Sequence, residues 1–222
     1  MKPLTLDALK AGAADFLKLM NEKSVPELFG ITDGKAVGTY VEHAFYAYLQ
    51  QHYIYTRGSS ASGIDFPQLE VDLKVTSIRQ PQSSCPYQSA AQKVYGLGYH
   101  LMVLIYDKKD HTDSKAAQLN FQHAIFIHRD HTGDYQTTRG LLNILAEEAN
   151  LEDIIAFLED RNLPLDEIGR EQLARQILQS PPGQGFLTIS NALQWRLQYG
   201  RAVSLSMTGV SGIENLLQEA AE

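Results

Sequence analysis

The sequence predicts an α/β fold, in which a mixed β-sheet core is flanked by helices and followed by a helical C-terminal region. First, apolar residues change from a helical period to alternation along the first 135 residues. Second, the nearly continuous apolar run Tyr99–Tyr106 is typical of a central strand covered on both faces. Third, helical periodicity dominates from Thr137 onward. We therefore divide the chain into a core at residues 1–135 and a mainly helical region at residues 136–222 that packs on it.

Two amphipathic helices open the chain. The first spans about Leu6–Met20, and a loop over Ser24–Lys35 separates it from a second helix over about Val37–Tyr53. Apolar residues recur on one side of each helix, as they do where a helix packs on a core. The apolar face of the second helix carries Val37, Val41, Phe45 and Tyr48.

The pattern then changes to a period of two. Leu69–Thr76 alternates apolar and polar residues, as a half-buried strand does, and a shorter strand at Ile64–Phe66 precedes it across a turn at Pro67 and Gln68. The remaining predicted elements are a polar loop at Arg79–Pro86, a helix at Tyr87–Leu97, a charged loop at Lys108–Lys115, a strand at Phe121–His128, and helices at Thr137–Ala149, Leu151–Asp160, Glu167–Gln179 and Ser190–Tyr199.

Composition narrows the class of protein. The chain has 222 residues, 44% of them hydrophobic, which is ordinary for a folded domain. Its one cysteine excludes an intramolecular disulfide and a four-cysteine zinc site, and no apolar run approaches the roughly 20 residues that span a bilayer. We therefore expect a cytoplasmic protein without a membrane partner. The net charge of −7 argues against binding nucleic acid by bulk charge alone.

Acidic residues and a lysine are concentrated in and just before the alternating strand. Side chains two apart on a strand share a face, so we expect Glu70, Asp72 and Lys74 to lie together. The return from the preceding short strand would bring Asp65 beside Asp72. Clustered carboxylates suit Mg²⁺, which can polarise a phosphodiester and activate a bound water. A neighbouring lysine can orient that water or stabilise the developing negative charge.

These residues resemble the PD-(D/E)xK nuclease signature. Asp65 matches the first aspartate, with Ile64 in place of the proline, and Asp72-Leu73-Lys74 matches the second part. Upstream, the segment from Gly34 to Glu42 resembles the first-helix motif, whose glutamate completes the metal site. The resemblance covers about Lys35–Tyr106. Downstream, Gln88 and Gln92 resemble polar residues that border the site in this family.

The resemblance implies a restriction-endonuclease-like core at residues 1–135 and a C-terminal region that serves DNA recognition or dimerisation. The implied activity is that of a type II restriction enzyme in a restriction–modification system, a homodimer that hydrolyses double-stranded DNA at a specific sequence with Mg²⁺. The implied catalytic residues are Asp65, Asp72, Lys74 and Glu42, and the implied metal ligands are Asp65, Asp72, Glu42 and Glu70.

The polar segment after the alternating strand supplies candidates for DNA contacts, because arginine, glutamine and serine side chains reach phosphates and base edges. An ordinary surface connection is the competing interpretation of this segment. The candidate DNA-binding residues are Arg79, Gln80, Gln82, Ser83, Ser84, Gln88 and Gln92.

Several alternatives remain open from the sequence. The same nuclease chemistry could act on branched or damaged DNA, or the fold could be a non-catalytic nucleic-acid-binding protein. Asp72 and Lys74 could be a salt bridge on a solvated sheet face. A thiol hydrolase would use Cys85 with His100 or His123. A zinc site would draw on the histidines near the second long strand, His123, His128 and His131.

Overall fold

The structure is a computed structural model that describes residues 1–58, 63–85, 88–190 and 195–218. Its strands are β1 (Lys2–Pro3), β2 (Ser24–Val25), β3 (Tyr53–Ile54), β4 (Val71–Ser77), β5 (Gln82–Cys85), β6 (His100–His111), β7 (Ala116–Ile127), β8 (Thr188–Ile189), β9 (Trp195–Gln198) and β10 (Ile213–Asn215). Its α-helices are α1 (Leu6–Glu22), α2 (Gly34–His52), α3 (Gln92–Tyr95), α4 (Tyr135–Ala146), α5 (Leu151–Asp160), α6 (Glu167–Gln179) and α7 (Gly200–Ser206).

A mixed five-stranded sheet forms the centre of the molecule. Its strand order is β10-β7-β6-β4, and β2 also pairs with β7. β4 runs parallel to β6, whereas β6 and β7 form a long antiparallel hairpin. The predicted mixed sheet is therefore confirmed, and β4 is the last strand on its side of the sheet in the described part of the chain.

The two faces of this sheet are covered by different structures. On one face, α1 and α2 pack their apolar sides against Leu73 and Leu104. On the other face, Leu101 and Val103 pack against a small antiparallel sheet of order β5-β9-β8, whose Trp195 is fully buried. Because both faces are covered there, the first half of β6, from Leu101 to Tyr106, is apolar and buried, as the sequence predicts.

The region after residue 135 packs on the core in two ways. Helices α4, α5 and α6 form a separate apolar cluster with α3. β10 adds to the central sheet beside β7, so this region contributes a strand to the core as well as helices. Among the described residues, no helix is both long enough and apolar enough to cross a bilayer.

Several predicted elements differ from the structure. The short strand predicted at Ile64–Phe66 is present only as a bridge between Phe66 and Val71. The charged loop at Lys108–Lys115 is wrong in its first half, because β6 continues to His111 and pairs with β7 from Ala116. The polar loop at Arg79–Pro86 contains strand β5, and Pro86 lies outside the described residues. The helix predicted at Tyr87–Leu97 is present as the single turn α3, and Tyr87 is also outside the described residues.

The largest difference lies in the C-terminal region. The helix predicted at Ser190–Tyr199 is wrong in its described part, where residues 195–198 form strand β9. Trp195 and Leu197 are buried while Arg196 and Gln198 are exposed, which is the alternation of a half-covered strand. This strand lies between β8, which is close in sequence, and β5, which is far upstream in the chain. Four alternating residues are too few to predict a strand without these partners.

Candidate active site

A cavity of about 310 Å³ lies beside the first half of β4 and brings together the residues of the predicted catalytic set. Glu42 reaches it from α2, Asp65 from the segment before the strand, and Asp72 and Lys74 from β4 itself. These side chains can approach one another because β4 is at the edge of the central sheet. Over the described residues, no further strand of that sheet lies beyond it. The predicted juxtaposition of these four residues is therefore observed.

Asp72 and Lys74 form an ion pair on one face of β4. The Lys74 Nζ to Asp72 Oδ2 distance is 2.8 Å. Val71 and Leu73 point to the opposite face and pack in the core beneath α1 and α2, as the alternation predicts. Asp72 is only 3% exposed, so the alternative of a salt bridge on a solvated sheet face is wrong.

Two carboxyl groups of the cavity, those of Asp72 and Glu42, have a raised pKa. Burial raises the pKa of Asp72 to about 7, and the Asp65 carboxyl adds to the rise while Lys74 opposes it. Burial and then Asp65 also raise the pKa of Glu42. Burial by itself would lower the pKa of Lys74, but Asp72 and Asp65 outweigh it and the pKa is raised. Lys74 is therefore kept protonated. Asp72 and Glu42 keep a raised pKa in its presence, so a further cation would favour their charged forms.

Asp65 is fixed by hydrogen bonds to both of its oxygens. The backbone N–H of Leu73, on the edge strand, donates to Asp65 Oδ2 at 2.8 Å. The Tyr46 hydroxyl donates to Asp65 Oδ1 at 2.5 Å. The guanidinium carbon of Arg57 lies 3.9 Å from the centre of the Tyr46 ring, and Arg57 also lines the cavity. Asp65 therefore has little freedom to turn away from Asp72.

Sequence reasoning missed Tyr46 and Arg57. A signal for Tyr46 exists, since it lies four residues after Glu42 and residues at that spacing share a helix face. Arg57 lies beyond the helix in a segment without a regular pattern. Only the folded chain brings it over the Tyr46 ring.

Glu70 does not join the cavity. It ends the 3₁₀ turn Pro67–Leu69 in a left-handed backbone conformation, with a φ of 53°. The strand begins only at Val71, so the prediction that Glu70 shares a strand face with Asp72 is wrong. Its carboxylate instead pairs with Arg129, at 2.5 Å between Oε2 and Nη1.

A divalent cation fits the chemistry of this cavity through few protein ligands. No group of three or more His, Cys, Asp or Glu side chains in the described ranges is arranged to hold a metal ion. Asp65 and Asp72, however, line the same cavity, and the Asp65 carboxyl adds to the raised pKa of Asp72, which a nearby positive charge would oppose. Mg²⁺ typically binds one or two carboxylates and takes its remaining ligands from water and phosphate. The donor set therefore suits Mg²⁺ better than a metal that needs a closed protein cage.

A second, larger cavity continues from the first. It has a volume of about 780 Å³ and shares Glu42 and Lys74 with it. Its wall also contains five predicted DNA-binding residues, Arg79, Gln80, Gln82, Ser83 and Ser84, and two further cations, Lys35 and Arg196. The polar segment after β4 therefore borders the candidate site. This position favours the DNA-contact interpretation over that of an ordinary surface connection.

Gln88 and Gln92 lie elsewhere, although the resemblance predicts that they border the site. They line neither cavity. Gln92 is on α3, where its side-chain amide donates to the carbonyls of Leu97 and of the Gln88 side chain at 3.4 Å each. Gln88 is exposed, and both glutamines therefore lie apart from the two cavities.

The cysteine and histidine alternatives fail on geometry. Cys85 is buried, its neighbours are Tyr99 and the small sheet, and burial raises its pKa, which disfavours a thiolate nucleophile. His100 stacks on Phe126, on the sheet face that is opposite to Cys85. Of the proposed zinc ligands, His131 is bound to a backbone carbonyl and stacked on Phe186.

Comparisons with known proteins point in one direction. A family model described as type II restriction enzyme NspV matches residues 3–215. A protein of Nostoc sp. (strain ATCC 29411 / PCC 7524), also described as type II restriction enzyme NspV, is 57% identical over 203 residues. The aligned part covers 91% of this chain and 92% of that protein. No solved structure matches the chain significantly.

Proposed function

Since the chain belongs to the family of type II restriction enzyme NspV, we propose that the cavity of Asp65, Asp72 and Lys74 is its hydrolytic centre. Family membership makes the chain a sequence-specific endonuclease that hydrolyses phosphodiester bonds of DNA. The observation that carries the assignment of the centre is the buried Asp72–Lys74 pair beside Asp65, in a cavity open to a polar groove.

We further propose that the core at residues 1–135 is of the restriction-endonuclease-like PD-(D/E)xK type. Three features support it: a mixed sheet, an acidic strand at the sheet edge, and helix α2 that presents Glu42 to that strand. Family membership favours site-specific cleavage over branched-DNA, repair or non-catalytic functions.

Asp65 and Asp72 would hold Mg²⁺, and Glu42 would complete the shell directly or through water. When bound, the ion polarises the scissile phosphate and lowers the pKa of a water that attacks it. Lys74, kept protonated by its acidic neighbours, donates to the attacking water or to the charge that builds on the phosphate. Glu70 is left out of the ligand set because its carboxylate pairs with Arg129.

DNA would lie along the second cavity. Arg79, with the polar side chains of the segment from Gln80 to Ser84, faces this groove and can contact phosphates or base edges. Two copies related by two-fold symmetry would cut the two strands of a palindromic site, so we infer a homodimer. Residues 136–222 would serve DNA recognition or dimerisation. They contribute β8 and β9 to the small antiparallel sheet whose strand β5 lines this cavity.

The experiment is a cleavage assay on DNA of known sequence. We expect the wild-type protein with Mg²⁺ to give discrete fragments, and Asp72→Asn to give none, because the variant keeps the side-chain shape but removes one metal ligand. Lys18→Ala is the matched control, since Lys18 is an exposed cation on α1 outside both cavities. Cleavage by a folded Asp72→Asn protein at the wild-type rate would contradict the proposed centre.

A further inference from the structure

The small sheet next to the candidate active site has one entirely polar face. In antiparallel strands, paired residues project to the same side. The register pairs Gln82 with Gln198 and Ser84 with Arg196, so these four side chains share one face. Arg196, Gln198 and Ser84 are exposed, and Gln82 is partly exposed. We call these four residues the recognition face.

The opposite side of the same strands is a rigid support. Trp195, Leu197 and Cys85 are buried there with Tyr199 against the central sheet. The hydroxyls of Ser83 and Tyr199 are 2.5 Å apart and form a hydrogen bond beneath the face. Side chains on a strand fixed in this way have defined positions, which is what selective recognition requires.

The recognition face is connected directly to the catalytic strand. β5 begins at Gln82, a few residues after β4 ends at Ser77. The Thr76 hydroxyl, on β4, accepts from the backbone N–H of Gln82 at 3.2 Å and lies 3.0 Å from the Gln82 carbonyl. Gln82, Ser84 and Arg196 line the same cavity as Lys74. A DNA duplex held by this face is therefore held in register with the hydrolytic centre.

Arg196 is an exposed cation of the recognition face. No ion pair to its guanidinium is present within the described residues, whereas most buried or intermediate cations of the chain, such as Lys10 and Lys74, have an acidic partner. An exposed guanidinium in a groove beside a phosphodiester-cutting centre is available to an external acceptor. Over the described residues, the hydrogen bonds of Arg196 are made by its backbone: its N–H donates to Ser190 Oγ at 3.0 Å, and its carbonyl accepts from the Ser190 N–H at 3.1 Å.

We propose that the recognition face reads base edges in the major groove of DNA, with Arg196 reading a guanine; this rests on the proposed function. A β-ribbon fits the major groove, where guanine presents the O6 and N7 acceptors that an arginine binds with two parallel hydrogen bonds. Glutamine matches the donor and acceptor edge of adenine in the same way, which assigns Gln82 and Gln198 to neighbouring base pairs. The face thus carries sequence specificity, and the adjacent cavity carries cleavage.

The test is a selection of preferred duplexes from a random-sequence DNA library, with Ca²⁺ in place of Mg²⁺ so that binding is measured without cleavage. It compares the wild-type protein with Arg196→Lys, Gln198→Ala and the control Lys18→Ala. Arg196→Lys keeps the charge but loses the planar fork, so a phosphate contact largely survives and a bidentate guanine contact does not. Circular dichroism verifies that each variant is folded.

We expect Arg196→Lys to lose preference for one G·C pair, and its symmetric partner, by about 10- to 100-fold, with the other positions unchanged. Gln198→Ala should relax a different position, and Lys18→Ala should select the wild-type sequence. A uniform loss of affinity in Arg196→Lys, an unchanged selected sequence, or no selection by the wild type would each overturn the proposal. If the wild type selects a sequence with Ca²⁺ but does not cut it with Mg²⁺, the proposed function fails and the recognition face stands.

Discussion

Two ion pairs lie at the start of the same strand and differ in their burial. Asp72 and Lys74 are paired at 2.8 Å with side chains that are 4% and 23% exposed, in that order. Glu70 and Arg129 are paired at 2.5 Å with side chains that are 54% and 46% exposed. The first pair sits in a cavity with two further carboxylates, those of Asp65 and Glu42, whereas the second is solvated. The difference shows that burial with excess negative charge, rather than the pairing of opposite charges, marks the site that needs a cation.

Lys74→Ala is expected to have the largest effect. It removes the only positive charge that contacts Asp72 in the described part of the cavity, so cleavage should fall by about 100- to 1,000-fold, the typical loss of one donor at a developing charge. The folded protein should survive, because Asp72 can take up a proton in place of its partner. The measurement is kcat/KM on a duplex with the cleavage site, beside a thermal unfolding curve. A loss below tenfold would show that Lys74 is structural.

The second-largest expected effect is a pH dependence of metal binding, which arises at the buried pair. The pKa of Asp72 is raised by burial to about 7, so protons compete with Mg²⁺ below that pH. Affinity should fall about tenfold for each pH unit below 7 and level off above it. The same shift makes the metal-free protein less stable as pH rises towards 7, because the folded state binds the proton more tightly than the unfolded state.

The corresponding measurement is the rise in Tm on adding Mg²⁺, at pH 6 and at pH 8. We expect a larger rise at pH 8, and no pH difference in Asp72→Asn. Equal rises at both pH values in the wild type would contradict the assignment of Asp72 as a ligand.

Tyr46→Phe tests the support of the buried site. It removes the hydrogen bond to Asp65 Oδ1 and should cost about 1 kcal/mol of stability. We expect the concentration of Mg²⁺ needed for half-maximal cleavage to rise several-fold, because Asp65 is then free to turn. Tyr40→Phe is the matched control on the same helix, since the Tyr40 hydroxyl bonds to Lys23 instead. Equal metal requirements in the two variants would show that Tyr46 is not a positioning residue.

Glu70→Gln should have the smallest effect. An exposed ion pair typically contributes at most about 1 kcal/mol, so Tm should change little. Cleavage should stay within about twofold of wild type at saturating Mg²⁺. A loss comparable to that of Lys74→Ala would mean that Glu70 belongs to the metal site after all, and would require the Arg129 pair to open on binding.

The two ion pairs also show where sequence reasoning reached and where it stopped. Alternation over β4 predicted that Asp72 and Lys74 share a face and that Val71 and Leu73 pack beneath them, because strand geometry has a fixed period. The same alternation extended one step too far to Glu70. A left-handed turn residue cannot be recognised from polarity, since it is fixed by the return of the chain to the edge strand.

The sequence by itself determined the helices that cover one face of the sheet, the mixed sheet, and the acidic strand with its lysine, because each depends on a local period. Only the tertiary structure decided that Tyr46 holds Asp65, that Gln88 and Gln92 line neither cavity, and that residues 195–198 form a strand. Each of these depends on a partner distant in sequence, and pairing across that distance fixes a conformation that local propensity alone does not.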